Sequence, residues 1–162
     1  MARRTGTADA PCLGMIGIES IQTPAVAREV LTIQGQKVPR LGFGTFQLNG
    51  KSCQRAVEHA LDVGYRHVDT ARVYKNEREV GQALAASSVG REEIFLTSKV
   101  WLEDAKAPDL KKSVEASLAE LGTDYLDLAL LHWPNPDVPF AESITALEAL
   151  KAAGKLRQVG VS

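Results

Sequence analysis

Residues 64–81, GYRHVDTARVYKNEREVG, are the stretch from which the fold of the whole chain can be inferred. This stretch predicts a short buried strand from Tyr65 to Asp69 and a polar loop that carries Asp69 and Tyr74. A helix follows, opened by Asn76 with Glu79 in the capping-box position. An acid and a phenol five residues apart, just past the end of a strand, are well placed for proton transfer.

The same alternation of strand, loop and helix recurs on both sides of this stretch. The other strand-type runs are LGFGT (41–45), EIFLTSK (93–99), YLDLALLHW (125–133) and LRQVGVS (156–162). Amphipathic helical stretches separate the runs, with a period of roughly 30 residues that indicates βαβ crossovers and a parallel sheet. Before the first run, two short β-type runs flank Gln34-Gly35-Gln36, where the glycine predicts a tight hairpin turn, and the second arm ends at Pro39.

Two parallel-sheet architectures compete for this order of elements. A doubly wound sheet usually has a glycine-rich phosphate loop after its first strand, but GFGTFQLNG (42–50) does not match GxGxxG. A (β/α)8 barrel instead places reactive residues at the carboxyl ends of several strands, as Asp69, Lys99 and His132 are placed here. A complete barrel needs about 250 residues. We therefore predict an α/β fold, an incomplete (β/α)8 TIM barrel with four βα units, a fifth strand and an amino-terminal β-hairpin.

Composition and charge are those of one ordinary globular domain. The 162 residues are 44% hydrophobic and 24% charged. The net charge of -1 is too small to attract nucleic acid or an anionic membrane by long-range electrostatics. Cys12 and Cys53 lack the spacing of a disulfide framework or a zinc site.

No apolar run has the length of a signal peptide or a membrane span, which predicts a cytoplasmic protein. Residues 1–27 predict a poorly ordered extension, and residues 28–162 the barrel part.

Four side chains that can move or orient a proton follow successive strands: Asp69, Tyr74, Lys99 and His132. A tyrosine in water titrates at about pH 10, an adjacent ammonium favours the phenolate, and a carboxylate paired with the ammonium keeps it charged. Such a group could give a proton to a carbonyl oxygen while a hydride reaches its carbon, with the imidazole adding a donor to the same oxygen. Because no side chain supplies hydride, a nicotinamide cofactor is required. No third ligand accompanies Asp69 and His132, so no metal site is expected.

Five segments, in order and at matching spacing, resemble the aldo-keto reductase family: LGFGTF, DVGYRHVDTARVYKNEREVG, SKVW, TDYLDLALLHWP and GKLRQVGVS. They cover the chain from about Arg40 to Ser162, and GTFQL and LLHWPNP are similar to bacterial 2,5-diketo-gluconate reductase-like members. The resemblance implies an NADP-dependent oxidoreductase that uses NADPH to reduce a small-molecule aldehyde or ketone to an alcohol.

The resemblance also implies a role for each matching residue. Tyr74 is implied to be the general acid, and Lys99 with Asp69 to adjust its acidity. His132 is implied to orient the carbonyl group of the substrate. The residues implied to approach the cofactor are Thr45, Asp69 and Ser162. The resemblance also implies that four residues line the substrate pocket: Phe46, Trp101, Trp133 and His132.

Two alternatives to a working reductase stay open at this stage. One is a non-catalytic, reductase-like binding or regulatory subunit. The other is a truncated reading frame without function, because the family's segments for the pyrophosphate and adenosine phosphate fall beyond Ser162. The edges of an incomplete barrel also predict self-association. His67, one layer below Asp69 on the same face of its strand, is expected to be a packed interior histidine.

Overall fold

The computed structural model describes residues 29–162, so the extension predicted over residues 1–27 lies outside the described part of the chain. A hairpin comes first, with strands β1 (Val30–Ile33) and β2 (Gln36–Pro39) paired antiparallel. Its two turn residues, Gln34 and Gly35, have φ values of 49° and 78°. Positive φ at both central residues is the geometry of a type I′ turn. The predicted hairpin is thus confirmed.

Five parallel strands form the main sheet, and their order in space is their order along the chain. They are β3 (Phe43–Gly44), β4 (His67–Asp69), β5 (Phe95–Val100), β6 (Leu126–Leu131) and β7 (Leu156–Val161). In β5 every residue is buried, which matches a strand covered on both faces. β3 and β7 are the outer strands within residues 29–162, and association through them stays a prediction.

Four helices connect successive strands of the sheet. They are α1 (Gly50–Asp62), α2 (Glu77–Ala86), α3 (Ala107–Leu121) and α4 (Phe140–Ala152). Each helix packs against the next one, so the helices form a layer that follows the sheet. Sequential strand order with one layer of helices is the arrangement of a (β/α)8 barrel, whereas a doubly wound sheet reverses its strand order. The described residues therefore form four βα units and a fifth strand of such a barrel, as predicted. No helix within them is long and apolar enough to cross a bilayer.

The first two barrel strands are shorter than the sequence pattern predicts. β4 begins at His67 instead of Tyr65, because the Tyr65 amide donates to the carbonyl of Ala60 at the exit of α1 (2.9 Å) and so belongs to the helix end. β3 contains two residues and has one neighbouring strand in the described chain.

The prediction that the Asn76 side chain caps α2 in a capping box is wrong. Asn76 occupies the cap position, but its side chain makes no capping hydrogen bond. It is buried and donates instead to the carbonyls of Thr45 (2.8 Å) and Leu48 (2.9 Å), while its amide oxygen accepts from the Thr70 hydroxyl (3.0 Å). The carbonyl of Thr45 is buried and that of Leu48 is partly buried, and a buried carbonyl without a partner is costly. Pairing both carbonyls therefore stabilises the protein more than a side-chain cap on α2 would.

Gly81 allows α2 and α3 to approach closely. A Cβ at this position would lie 2.5 Å from the backbone oxygen of Glu120 and 2.8 Å from that of Leu121. Both atoms are backbone, so α3 would have to move as a whole to make room. We expect Gly81→Ala to lower the free energy of unfolding by about 1–3 kcal/mol, despite the better helix propensity of alanine. Urea unfolding checks this, with the exposed neighbour Gln82→Ala as control, and an unchanged or raised midpoint for Gly81→Ala would contradict the packing account.

An ionic cluster lies at the amino ends of β5, β6 and β7. The carboxylate of Asp127 on β6 is nearly buried (6% exposed) and accepts from Arg91 at 2.9 Å and from Arg157 at 3.1 Å. It also accepts from the buried backbone amide of Leu96 on β5 (3.0 Å). The guanidinium carbons of the two arginines lie 4.1 and 4.0 Å from the ring centroid of Tyr125. The cluster joins three segments that are far apart in sequence.

Candidate active site

The four predicted proton-transfer residues meet at one end of the sheet. Asp69 is the last residue of β4, Lys99 lies near the end of β5, and His132 directly follows β6. Tyr74 ends a short 3-10 turn, Arg72–Tyr74, that follows β4. Because the strands are parallel, their carboxyl ends all lie at the same end of the sheet. Residues from three βα units therefore meet there.

Lys99 is the most deeply buried member of the group, with 8% of its side chain exposed. Its Nζ donates to Asp69 Oδ1 (2.5 Å) and to the carbonyl oxygen of Thr70 (3.0 Å). A buried ammonium requires such partners to remain charged. Asp69 and the Thr70 carbonyl therefore fix the position of the Lys99 ammonium at the bottom of the site.

The Tyr74 ring lies over this charge. Lys99 Nζ is 5.3 Å from the ring centroid, within the range of a cation–π contact. The ring also packs against Phe46 and His132, with centroid distances of 5.1 and 5.8 Å. Trp101 also packs against His132, with a centroid distance of 5.2 Å. The phenol is thus held between aromatic rings beside an ammonium.

The surroundings of His132 favour the neutral form of its imidazole. Removal from water lowers the pKa of its imidazole below the usual value, the Lys99 ammonium lowers it further, and the Asp69 carboxylate opposes the shift. The Nδ1 atom is buried without a hydrogen-bond partner among the described residues. Nε2 is therefore the ring nitrogen that a molecule in the pocket can reach.

His67 has a similarly lowered pKa, mainly because it is buried, and its Nε2 lies 3.1 Å from the Thr97 hydroxyl. Its half-buried ring packs edge-on against Phe95 at 4.9 Å. The expectation that His67 packs inside the barrel agrees with this placement.

The lowered pKa values predict a pH dependence of stability. Unfolded histidines bind protons at about pH 6.5, whereas the folded protein resists protonation of His67 and His132. The unfolded state then binds more protons, so the free energy of unfolding falls as the pH drops below about 6.5 toward the folded pKa values. Replacing both histidines by Gln should reduce this loss, measured as the difference between urea midpoints at neutral and mildly acidic pH. The exposed His59→Gln variant is the control, and an unchanged pH slope in the double variant would contradict the prediction.

The residues expected to approach a cofactor lie at the same end. Thr45 follows β3, and its amide donates to the carbonyl of Asp69 (3.0 Å). Its hydroxyl is buried and has no hydrogen-bond partner within residues 29–162. Ser162 is exposed just after β7, where its amide donates to the carbonyl of Leu131 (3.1 Å).

A cavity of about 510 Å³, lined mainly by aromatic side chains, lies next to Tyr74 and His132. The lining residues are Phe46, Gln47, Val73, Tyr74, Trp101, His132 and Trp133. Phe46 and Trp133 are 65% and 58% exposed, so these two rings form the open rim of the cavity. Gln47 and Val73 were not expected from the sequence, although each adjoins a predicted site residue. A second cavity of about 520 Å³ lies under the hairpin, at the opposite end of the strands, and contains none of the four proton-transfer residues.

Comparison with known proteins agrees with this arrangement. Residues 40–162 match the model of the aldo/keto reductase family. The methylglyoxal reductase DkgB of Salmonella typhi is 44% identical over 127 residues, which are 77% of this chain and 48% of that protein. The aldo-keto reductase of Mycolicibacterium smegmatis is 43% identical over 129 residues, which are 79% of this chain and 47% of that protein.

A solved structure of an aldo-keto reductase also matches the fold of this chain. The aldo-keto reductase of Bombyx mori in complex with NADP superposes with a TM-score of 0.76 at 31% identity, and the match covers 86% of this chain and 50% of that one. The chain therefore spans about half the length of the curated relatives and the solved structure that it matches.

Proposed function

The chain belongs to the aldo/keto reductase family, and on that premise we propose that the protein reduces aldehydes or ketones to alcohols with NADPH, using Tyr74 as the proton donor. One observation carries the proposal. The Lys99 ammonium, fixed by Asp69, lies 5.3 Å from the centroid of a tyrosine ring that lines an aromatic cavity.

The proton-transfer step follows from the charges around the phenol. A carbonyl oxygen becomes an alkoxide as its carbon is reduced, and it needs a proton and hydrogen-bond donors. Tyr74 supplies the proton, and the buried ammonium stabilises the phenolate that remains. Neutral His132 donates from Nε2 to the same oxygen and so orients the carbonyl in the cavity.

The residues at the carboxyl edge fit the nicotinamide end of the cofactor. Thr45 has a buried hydroxyl that lacks a partner in the described chain, and Asp69 engages Lys99 through one oxygen, which leaves the other for a ribose hydroxyl. Ser162 adds a hydroxyl next to β7. NADPH, when bound, supplies the hydride that the protein's side chains cannot supply.

The pocket chemistry indicates a small carbonyl compound. Its walls are mostly aromatic, and the phenol of Tyr74, the imidazole of His132 and the amide of Gln47 add hydrogen-bonding groups. Since a relative is named a methylglyoxal reductase, we propose small 2-oxoaldehydes as the first substrates to examine.

The test is turnover by the complete gene product, followed as loss of NADPH absorbance with methylglyoxal, an aromatic aldehyde and a ketone. We expect NADPH-dependent reduction of at least one aldehyde. Tight NADPH binding without turnover on any of the three would overturn the proposal and favour a reductase-like binding subunit. Replacing NADPH by NADH in the same assay measures the cofactor preference.

A further inference from the structure

Glu77, the first residue of α2, is a fully buried carboxylate outside the four proposed catalytic residues. Each of its oxygens has a partner. Oε1 accepts from the Ser98 hydroxyl at 2.6 Å, and Oε2 accepts from Arg72 Nη1 at 3.1 Å. Burying a carboxylate is costly even when it is paired, and an apolar side chain of similar volume is often equally stable. Burial energy alone therefore does not account for an acid at this position.

The two partners of Glu77 lie next to the two residues on which proton transfer depends. Arg72 begins the 3-10 turn that ends at Tyr74, and Ser98 precedes Lys99 on β5. One carboxylate thus joins the segment that carries the phenol to the strand that carries the ammonium. Arg72 makes a second ion pair, at 3.0 Å, with Glu120 of α3.

A backbone hydrogen bond joins Thr70, two residues before the turn, to Thr97 of β5 (2.9 Å), and the turn itself has few other side-chain anchors to that strand. Its backbone hydrogen bonds are local: Tyr74 donates to Ala71 (3.0 Å) and Lys75 donates to Arg72 (3.2 Å). Local bonds of this kind fix the shape of a turn but not its position against a neighbouring strand. Lys75, the residue directly after the turn, has a left-handed backbone with φ of 56°.

We propose that Glu77 is a positioning residue that sets the separation between the Tyr74 phenol and the Lys99 ammonium by holding the turn against β5. The inference rests on the proposed function of these two residues. A displacement of about 1 Å at a reacting group can cost about 10²-fold in rate, so a loosened turn should affect kcat more than KM.

Three substitutions separate the positioning role from the charge. Glu77→Ala removes both links, and Ser98→Ala removes only the link to the strand. Glu77→Gln keeps both contacts, because its amide oxygen can accept from Arg72 and its amide nitrogen can donate to Ser98. Val80→Ala is the matched control, since Val80 is fully buried on the same helix and has no part in the site.

We expect Glu77→Ala and Ser98→Ala to lower kcat by about 10- to 100-fold, and Glu77→Gln to stay near the native value. KM should change less than kcat in the first two variants, because the loss falls on the proton-transfer step. Val80→Ala should lower stability and leave kcat and KM near their native values. If Glu77→Ala does not fold, Ser98→Ala carries the test.

Hydrogen exchange of the amides in residues 72–75 gives a second readout that does not require activity. Exchange there should become faster in Ser98→Ala and stay native in Val80→Ala. Native exchange in the turn of Ser98→Ala, or a native kcat in both link-breaking variants, overturns the inference. If the native protein does not reduce carbonyls, the proposed function fails, and the exchange measurement still decides whether Glu77 holds the turn.

Discussion

Replacing Tyr74 with Phe is expected to lower kcat for carbonyl reduction by about 10²–10⁴-fold, the usual contribution of a positioned general acid. Phe keeps the ring contacts with Phe46 and His132 and removes only the hydroxyl. The loss should therefore fall on the chemical step, and binding of NADPH should change little. Steady-state kinetics and a fluorescence titration with NADPH measure the two effects separately.

Tyr65→Phe is the matched control for this variant. Tyr65 is half-buried and packs edge-on against Phe43 with centroids 5.9 Å apart, so it loses the same hydroxyl on a residue outside the cavity. It should keep the native kcat. Native turnover in Tyr74→Phe would remove Tyr74 from the mechanism.

Replacing Asp127 with Ala is expected to cause the largest loss of stability, about 2–4 kcal/mol, because it leaves a buried amide unpaired and two partly exposed arginines without their carboxylate. The change leaves the guanidinium groups of Arg91 and Arg157 without the carboxylate that joins them, and it leaves the buried amide of Leu96 without an acceptor. Both losses weaken the amino ends of β5, β6 and β7. Urea unfolding monitored by circular dichroism gives the change in free energy.

The neighbouring acid Asp124 provides the comparison. It is exposed and makes no side-chain hydrogen bond within the described residues, so Asp124→Ala should change stability by less than about 0.5 kcal/mol. Equal midpoints for the two variants would show that the Asp127 cluster does not stabilise the fold.

The fold and the gathering of the site were predictable because both depend on periodicity. Alternating strands and helices with the correct spacing indicate a parallel barrel, and a barrel brings the carboxyl ends of its strands together. Asp69, Lys99 and His132 each lie at a strand end, so topology alone predicts that they are close to one another. The family resemblance adds the role of each residue, and those roles stay predictions.

The contacts that hold the site in place were not predictable from local sequence. Asn76 matches a helix cap in the sequence, yet its side chain bonds a loop 31 residues away. Glu77 resembles an ordinary acid in the first turn of a helix, and only packing shows that it faces Ser98. Such contacts depend on how loops from different units meet, which residue spacing does not encode. Polar residues at a helix start or in a buried strand, such as Ser98, are the signal that could direct attention to them.

A double-mutant cycle on Tyr74 and Lys99 tests most directly whether the ammonium acts through the phenol. Lys99→Met should by itself lower kcat strongly, since it removes the charge beside the ring. When Tyr74 is already Phe, adding Lys99→Met should cost at most severalfold, because the group on which Lys99 acts is gone. A double variant in which the two losses multiply would contradict the account, since Lys99 would then act independently of Tyr74.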